Sequence, residues 1–246
     1  MDASALVEVG FEAAAAARRA LDDLADWGPV PTRRGQYKLD LAADHAVLGV
    51  LHQAGLGSLS EESGRHHPDR SLVAVVDPVD GSTNAFRRIP WYATSVCVLD
   101  GDGPLASVVV NLASGARFWA MRGGGAFGDD GPLRPRATTE LDRAIVALSG
   151  LPPVPLGWCQ TRAMGACALD LCGVASGLFD GYFDATRPAA HGPWDYLGGL
   201  QVCREAGAVV ADARDEEMVV VDHDARRSPV AAATGELLGK LVQLIG

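Results

Sequence analysis

The stretch that most constrains the fold is a continuous apolar run, SLVAVVD (residues 71–77), which ends abruptly in acidic residues. An unbroken run of this length, rich in β-branched side chains, predicts a strand that is buried on both faces. Asp77 closes the run, and Asp80 follows after Pro78 and Val79. Two carboxylates this close repel each other, so the stretch is either an ordinary polar turn or a place where a cation binds.

The rest of the chain predicts a mixed α/β protein with a change of rhythm in the middle. Helical periodicity covers residues 4–25 and 41–53, and strand patterns with a hairpin signal at 100–103 follow. After this meander, strands and helices alternate, and the last apolar patterns, MVVVD (218–222) among them, are predicted strands. We therefore expect an α+β or α/β fold with a soft boundary near Thr138, which divides it into subdomains 1–138 and 139–246.

Composition and charge restrict the partners and the compartment. The formal net charge of −10 disfavours nucleic acids and anionic membranes as partners. The five cysteines show no CxxC pair, and the His66–His67 pair lies in a polar turn, which favours solvated side chains over metal ligands. The acidic start of the chain and the lack of a run of ~20 apolar residues predict a cytoplasmic protein without a membrane anchor.

Three acidic elements in the chain suit a divalent cation. Mg²⁺ takes oxygen ligands, usually carboxylates and waters, and a phosphoryl-transfer site needs several carboxylates from different elements. Asp77 and Asp80 end the buried strand, Glu61 and Glu62 occupy a turn, and Asp195 begins an apolar helix. Each element also has an explanation without a metal. Asp77 and Asp80 could form an ordinary polar turn, Glu61 and Glu62 could lie in a solvated turn, and Asp195 could simply favour a helix N-terminus. The Gly-Ser-Thr-Asn string after Asp80 suits a helix cap that favours an anion.

Four segments, in the same order along the chain, resemble the signatures of the inositol monophosphatase family. DPVDGSTN (77–84) is similar to its Asp-Pro-(Ile/Leu/Val)-Asp-Gly-(Thr/Ser)-Thr-Asn motif, and SEESG (60–64) is similar to its Gly-Glu-Glu-Ser element. PWDYLGGLQVCREAGAVV (193–210) resembles its second signature, and MGACALDLCGVASGLFDGYFD (164–184) resembles the segment between. The resemblance implies a layered αβαβα sandwich with two subdomains, of the sugar-phosphatase type, and frequent homodimers.

The resemblance also implies the metal site, with two or three Mg²⁺ ions. Asp77 would bridge two ions, and Ser82, where the family usually has Thr, would orient the attacking water together with Glu62. Asp40 would support that hydroxyl and the metal-bound waters, although Asp44 competes for the same alignment. The implied metal ligands are Glu62, Asp77, Asp80, Asp195 and the backbone carbonyl of Val79.

For the substrate, the resemblance implies contacts from both halves of the chain. The N–H groups of Gly81 and Ser82 would hold the phosphate, and Asp184 stands where the family has a Glu that binds substrate hydroxyls. The backbone of Gly165, Ala166 and Cys167 would contact the sugar ring. Asp80 and Asp195 are also among the implied substrate-binding residues.

The chain departs from the family pattern around the substrate. QYKL replaces the usual Val-Thr before Asp40, the segment 150–164 is shorter than usual, and its GLPPVPLG stretch excludes a regular helix. The loop 185–194 is longer and carries Arg187 and His191, which either meet the substrate or lie on a surface loop.

These observations predict a Mg²⁺-dependent phosphate monoesterase that uses in-line attack by a metal-activated water. The expected substrate is an inositol monophosphate or a similar small polyol phosphate. Histidinol phosphate, fructose 1,6-bisphosphate and a 3′-phosphoadenosine nucleotide are alternatives on the same site. A non-catalytic regulatory or binding member of the family is an alternative of another class.

Overall fold

A computed structural model describes residues 1–31 and 35–245 of the 246-residue chain. In this part of the chain there are six α-helices and two sheets. The helices are α1 (Ala3–Asp23), α2 (Lys38–Gln53), α3 (Ser82–Arg87), α4 (Cys167–Ala175), α5 (Pro193–Ala206) and α6 (Gly235–Val242).

The first sheet has eight strands, in the order β2-β1-β3-β4-β5-β6-β7-β8. They are β1 (Gly57–Ser60), β2 (Gly64–His66), β3 (Val73–Asp80), β4 (Ala93–Asp100), β5 (Gly103–Asn111), β6 (Arg117–Met121), β7 (Gly125–Gly128) and β8 (Gly131–Pro132). Strand β3 runs parallel to β1 and antiparallel to β4. It is buried at every residue after Val73, as its apolar run predicts.

The second sheet has five strands, in the order β10-β9-β11-β13-β12. They are β9 (Ile145–Ser149), β10 (Gln160–Arg162), β11 (Gly181–Asp184), β12 (Val209–Asp212) and β13 (Pro229–Ala232). No strand of this sheet comes from before residue 145, so the two sheets are built from successive halves of the chain. We keep the boundary near Thr138 as a proposal.

The two sheets and the helices form five layers. Helices α1 and α2 cover one face of the first sheet, α4 and α5 lie between the two sheets, and α6 covers the outer face of the second. Each sheet thereby buries its apolar side chains, and the largest core cluster lies around α4 and α5 in the middle layer. The predicted αβαβα sandwich is confirmed.

Two sequence-based expectations differ from the fold. Helix α2 begins at Lys38, so Asp40 lies within its first turn and accepts a hydrogen bond from the Tyr37 N–H at 2.8 Å. The predicted strand MVVVD (218–222) is wrong, because this segment pairs with no other strand. Met218 is buried there, and its carbonyl accepts a hydrogen bond from the Tyr196 hydroxyl at 2.9 Å. A tyrosine side chain therefore satisfies this carbonyl in place of a neighbouring strand. Within the described residues every helix is too short or too polar to cross a lipid bilayer.

Candidate metal centre

The site begins at an irregularity near the end of β3. Residues three apart in a regular strand point to opposite faces, so Asp77 and Asp80 would diverge. The pairing of β3 with β4 shifts register between these two residues, a β-bulge-like break that redirects the later side chain. Asp77 Oδ1 accepts the Val79 N–H at 2.9 Å, and Asp80 Oδ2 accepts the Ala168 N–H of α4 at 2.7 Å. The hydrogen bond of Asp80 therefore connects the end of β3 to α4 in the middle layer.

Three carboxylates from distant parts of the chain converge at this strand end. Glu61, Asp77 and Asp195 each offer an oxygen within 4.8 Å of the other two. Asp195 lies in the first turn of α5 and accepts the Gly192 N–H at 2.7 Å. Among the residues that the structure describes, this is the one group of three or more acidic, histidine or cysteine side chains that meets this distance.

Burial and mutual repulsion make this cluster electrostatically costly without a cation. Burial, followed by the charge of Glu61, raises the pKa of Asp77 well above its usual value. Burial and the charge of Asp195 raise the pKa of Glu61 in the same direction. Burial and, to a lesser extent, the charge of Asp195 raise the pKa of Asp80 to about 7. A positive ion among these oxygens would restore their ionised forms.

The donor chemistry indicates which ion fits. The converging atoms are all carboxylate oxygens, which hard cations such as Mg²⁺ prefer, while softer metals select thiolate or imidazole. Asp40 is buried close enough for its charge to raise the pKa of both Asp77 and Glu61. The cluster therefore fits a hard divalent cation.

The turn after Asp80 forms a tight backbone cradle. Gly81 adopts a left-handed conformation with φ of 87°, and a Cβ there would lie 3.1 Å from the carbonyl oxygens of both Gly165 and Trp91. Only glycine meets both demands without strain. Ser82 follows as the first residue of α3, and its Oγ donates a hydrogen bond to the Val79 carbonyl at 3.1 Å.

The same contacts bring the second half of the chain to the cradle. Asn84 in α3 donates its amide hydrogens to the Trp91 carbonyl at 2.8 Å and to the Met164 carbonyl at 2.7 Å. Gly165 is thereby held against Gly81, with Ala166 and Cys167 buried beside it. The structure thus brings the predicted segment 165–167 next to the predicted phosphate turn.

Asp184 and His191 lie on the other side of Asp195. Asp184 Oδ1 accepts hydrogen bonds from the N–H and Oγ1 of Thr186, while its Oδ2 is buried without a partner. His191 Nδ1 is 3.4 Å from Asp195 Oδ2, and its Nε2 is 3.9 Å from Asp184 Oδ1. The His191 side chain is only 14% exposed. Burial alone would lower the pKa of His191, but its hydrogen bond to Asp195 and the charges of Asp195 and Asp184 raise the pKa overall.

Comparison with known proteins decides the family. The model of the inositol monophosphatase family matches residues 37–245. The chain belongs to the inositol monophosphatase family. As a member, it is a phosphatase, a phosphoric monoester hydrolase, and the family acts on small phosphorylated substrates. The family predicted from the sequence motifs is therefore confirmed.

Relatives and solved structures agree with this assignment. A fructose-1,6-bisphosphatase/inositol-1-monophosphatase of Methanothermobacter thermautotrophicus is 32% identical over 231 residues, covering 84% of this chain and 82% of that protein. The Nus factor SuhB of Salmonella typhimurium is 34% identical over 192 residues, covering 71% of this chain and 70% of that protein. The crystal structure of the extragenic suppressor protein suhB from Bartonella henselae superposes with a TM-score of 0.83 at 28% identity, covering 98% of each chain.

For this inositol monophosphatase family member, the structure places the two neighbouring glutamates differently from the predicted ligand set. Glu61, rather than Glu62, joins Asp77 and Asp195, and the Glu62 carboxylate accepts a hydrogen bond from Gln36 Nε2. The reason is register: β1 pairs in parallel with β3 so that Ser60 faces Val76. The next residue, Glu61, donates its N–H to the Val76 carbonyl and so stands beside Asp77, while Glu62 lies further along the turn.

The two residues singled out in the 185–194 loop have different surroundings. The His191 side chain is largely covered: it lies between Asp184 and Asp195, 3.1 Å from the Tyr182 hydroxyl and 3.2 Å from Ser149 Oγ. Arg187 is exposed instead. The shortened segment contains neither helix nor strand over residues 151–159. Sequence reasoning missed Ser149 and Tyr182, because only the fold brings their strands together.

Proposed function

We propose that this phosphatase is a Mg²⁺-dependent hydrolase of an inositol monophosphate or a similar small polyol phosphate. The observation that carries the proposal is the buried carboxylate cluster directly beside the glycine cradle of α3. Metal-holding oxygens next to a turn with free backbone N–H groups suit phosphate-ester hydrolysis. A nucleophilic side chain is not required by this arrangement.

In this proposal two or three Mg²⁺ ions bind at the cluster. When bound, the ions supply positive charge beside the phosphoryl group and lower the pKa of water. The Glu62 carboxylate, held by Gln36, would lie behind Glu61 rather than among the ligands. The residues that would hold the ions are Glu61, Asp77, Asp80, Asp195 and the carbonyl of Val79.

The residues of the cradle would bind the phosphate and orient the water. The N–H groups of Gly81 and Ser82 would donate to phosphate oxygens. Because Ser82 Oγ donates its proton to the Val79 carbonyl, its lone pairs remain to accept a hydrogen bond from an attacking water. Asp40, fixed by the Tyr37 N–H, would keep negative charge behind this water.

The alcohol part of the substrate would lie between the two halves of the chain. The backbone of residues 165–167 would contact the sugar ring from one side, and Asp184 with His191 would face its hydroxyls from the other. His191 offers ring nitrogens close to both acids, so it positions them relative to each other.

Fructose 1,6-bisphosphate is the second candidate substrate. The archaeal relative bears both names, fructose-1,6-bisphosphatase and inositol-1-monophosphatase. A role as a factor rather than an enzyme is the alternative of another class, and one relative bears the name Nus factor. We also propose that the protein acts in the cytoplasm as a homodimer, which rests on the family resemblance.

The test is a substrate panel with the purified full chain in Mg²⁺, with and without Li⁺, following phosphate release. We expect the fastest turnover on inositol monophosphates and inhibition by Li⁺. Dominant turnover of fructose 1,6-bisphosphate or histidinol phosphate would overturn the substrate but keep the reaction. An absence of Mg²⁺-dependent hydrolysis across the panel would overturn the enzymatic proposal.

A further inference from the structure

A short loop of the second half, DHDARR (222–227), contacts the backbone on either side of the carboxylate cluster. Near its start, His223 Nε2 lies 3.3 Å from the carbonyl oxygen of Glu61. At its end, the N–H of Arg227 donates to the carbonyl of His191 at 2.8 Å. The loop therefore joins the β1–β2 turn, which carries Glu61, to the segment that leads into α5.

Hydrogen bonds within the loop fix the backbone around His223. Asp222 Oδ1 accepts the N–H of Asp224 at 3.0 Å. The guanidinium of Arg226 donates to the carbonyl of His223 at 2.8 Å and to that of Ala225 at 2.7 Å. Because these bonds use groups on both sides of His223, the loop presents the imidazole ring in a defined direction.

The second contact of the His223 ring is with Trp194, the residue before Asp195 in the first turn of α5. The two ring centres are 4.8 Å apart, with the planes at 39°. Trp194 is buried, and a Cβ on Gly192 would lie 2.4 Å from the indole, so the indole packs directly on that glycine. Gly192 in turn donates its N–H to Asp195 Oδ2 at 2.7 Å. One histidine thus contacts the backbone of one cluster acid and the neighbour of another.

The hydrogen bond between His223 and Glu61 has a fixed direction. A carbonyl oxygen can only accept, so Nε2 of His223 carries the proton. Glu61 also donates its own N–H to the Val76 carbonyl of β3 at 3.2 Å. The backbone of Glu61 is therefore held by the first sheet through its N–H and by the 222–227 loop through its carbonyl.

Such a link has a physical purpose because the acids of the cluster repel each other. Glu61 and Asp195 offer oxygens within 4.8 Å of one another, and they come from opposite halves of the chain. Repulsion between like charges favours moving their two elements apart when no cation lies between them. A contact that spans both elements opposes this movement and keeps the ligand oxygens in place for an ion.

We propose that His223 is a positioning residue for the metal centre, which holds the backbone of Glu61 against the start of α5. The inference rests on the proposed function, since it takes the carboxylate cluster as the Mg²⁺ site. The proton on Nε2 is used by the Glu61 carbonyl, so this nitrogen acts as a donor and not as a ligand. His223 raises the affinity for Mg²⁺ and leaves the rate at saturating Mg²⁺ unchanged.

Two variants separate the hydrogen bond of His223 from its ring packing. His223→Phe keeps an aromatic ring against Trp194 but has no donor for the Glu61 carbonyl, whereas His223→Gln keeps an amide donor and loses the ring. Calorimetry of the full chain should show about tenfold weaker Mg²⁺ binding in the Phe variant and a change within about threefold in the Gln variant. His45→Phe, the same change at an exposed histidine of α2, is the matched control and should keep the wild-type affinity.

Phosphate release across a Mg²⁺ series is the second measurement. The Phe variant should need about tenfold more Mg²⁺ for its half-maximal rate and should reach a kcat within about twofold of the wild type. In a Glu61→Gln background, His223→Phe should weaken Mg²⁺ binding by less than about twofold further, because residues that act as one unit are not additive. A full tenfold loss in that background would overturn the proposal, since His223 would then not act through Glu61.

The remaining outcomes separate this inference from the proposed function. Equal Mg²⁺ affinity in the wild type and the Phe variant, with only a lower melting temperature, would overturn the inference and leave the metal centre intact. A tenfold loss in the Gln variant as well would assign the effect to ring packing and would also overturn it. A wild-type chain that binds no Mg²⁺ would overturn both. His223→Leu, which also lacks a donor, replaces the Phe variant if that variant does not fold, with the same expected loss.

Discussion

The two sides of the candidate active site are built in different ways. The carboxylate side stands on regular elements: the parallel ends of β1 and β3 and the first turn of α5. The alcohol side combines Asp184, at the end of β11, with the following loop that carries His191, and both line a cavity with the segment 151–159, which has no regular structure. A metal site needs ligand oxygens at fixed positions, which strands and helices provide. A loop that contacts the substrate can change its contacts without disturbing the sheet.

This difference explains why the reaction class is easier to assign than the substrate. Asp77 and Asp195 are set by a strand register and a helix start, which a motif in the sequence reports directly. Asp184 is turned by Thr186 and flanked by His191, and those contacts depend on the path of a loop. Substitutions on the carboxylate side are therefore expected to reduce catalysis more than substitutions on the alcohol side.

Replacing Asp77 by Asn should abolish Mg²⁺-dependent phosphate release, with a loss of about 10³-fold or more in kcat, because several kcal/mol of charge stabilisation depend on the ions. Phosphate release by the purified variant measures this loss. Asp102→Asn, on the exposed β4–β5 turn, is the matched control and should leave the rate unchanged. An unchanged rate in the Asp77 variant would contradict the metal centre.

The pair Glu61→Gln and Glu62→Gln tests which of the two glutamates holds the metal, the one in the carboxylate cluster or the one implied by the motif. We expect Glu61→Gln to cost about 10²-fold in kcat and to weaken Mg²⁺ binding, because it removes a charged oxygen from the cluster. Glu62→Gln should cost about tenfold or less, since Glu62 is held by Gln36. Steady-state rates across a Mg²⁺ series compare the two, and the reverse order would restore Glu62 as the ligand.

Metal removal should make stability depend on pH in a defined direction. In the folded, metal-free protein, burial raises the pKa of Asp80 to about 7, and it also raises the pKa of Asp77. A raised carboxyl pKa means that the folded state holds more protons than the unfolded state between the two pKa values. Stability is then greatest at low pH and is lost as the pH rises from about 4 to about 7.

We therefore expect protein treated with EDTA to be less stable at pH 8 than at pH 5.5, by roughly 2 kcal/mol. Thermal melts at both pH values measure this, and added Mg²⁺ should restore stability at pH 8. Asp80→Asn should remove much of the pH difference while keeping an acceptor for the Ala168 N–H. Equal melting temperatures at both pH values without metal would contradict the electrostatic account.

His191→Gln should have a small effect, and one that depends on the substrate more than any other. We expect about a tenfold loss in kcat/KM for a polyol phosphate, mostly through a higher KM, because the variant would misplace contacts to the substrate hydroxyls. A tenfold loss corresponds to roughly 1.4 kcal/mol of binding free energy. Hydrolysis of p-nitrophenyl phosphate, which lacks those hydroxyls, should change little, and His45→Gln serves as the control. An equal loss on both substrates, relieved by high Mg²⁺, would show that His191 acts through Asp195 instead.

The sequence by itself determined the layered fold class, the family and most of the acidic residues of the site. It could do so because these features are local: an apolar run long enough to be buried, a strand end marked by Asp77 and Asp80, and a helix that begins at Asp195. Apolar periodicity reports burial and not hydrogen bonding, so the MVVVD segment has the pattern of a strand but no strand partner in the described residues.

Only the tertiary structure decided which side chains meet. The choice of Glu61 over Glu62 depends on the parallel register between β1 and β3, and a shift of one residue would reverse it. The contacts of His191 with Asp184 and Asp195 join residues whose separation in sequence carries no signal. Strand register and the path of the 185–194 loop arise from packing of the whole chain, and they set the geometry of the candidate site.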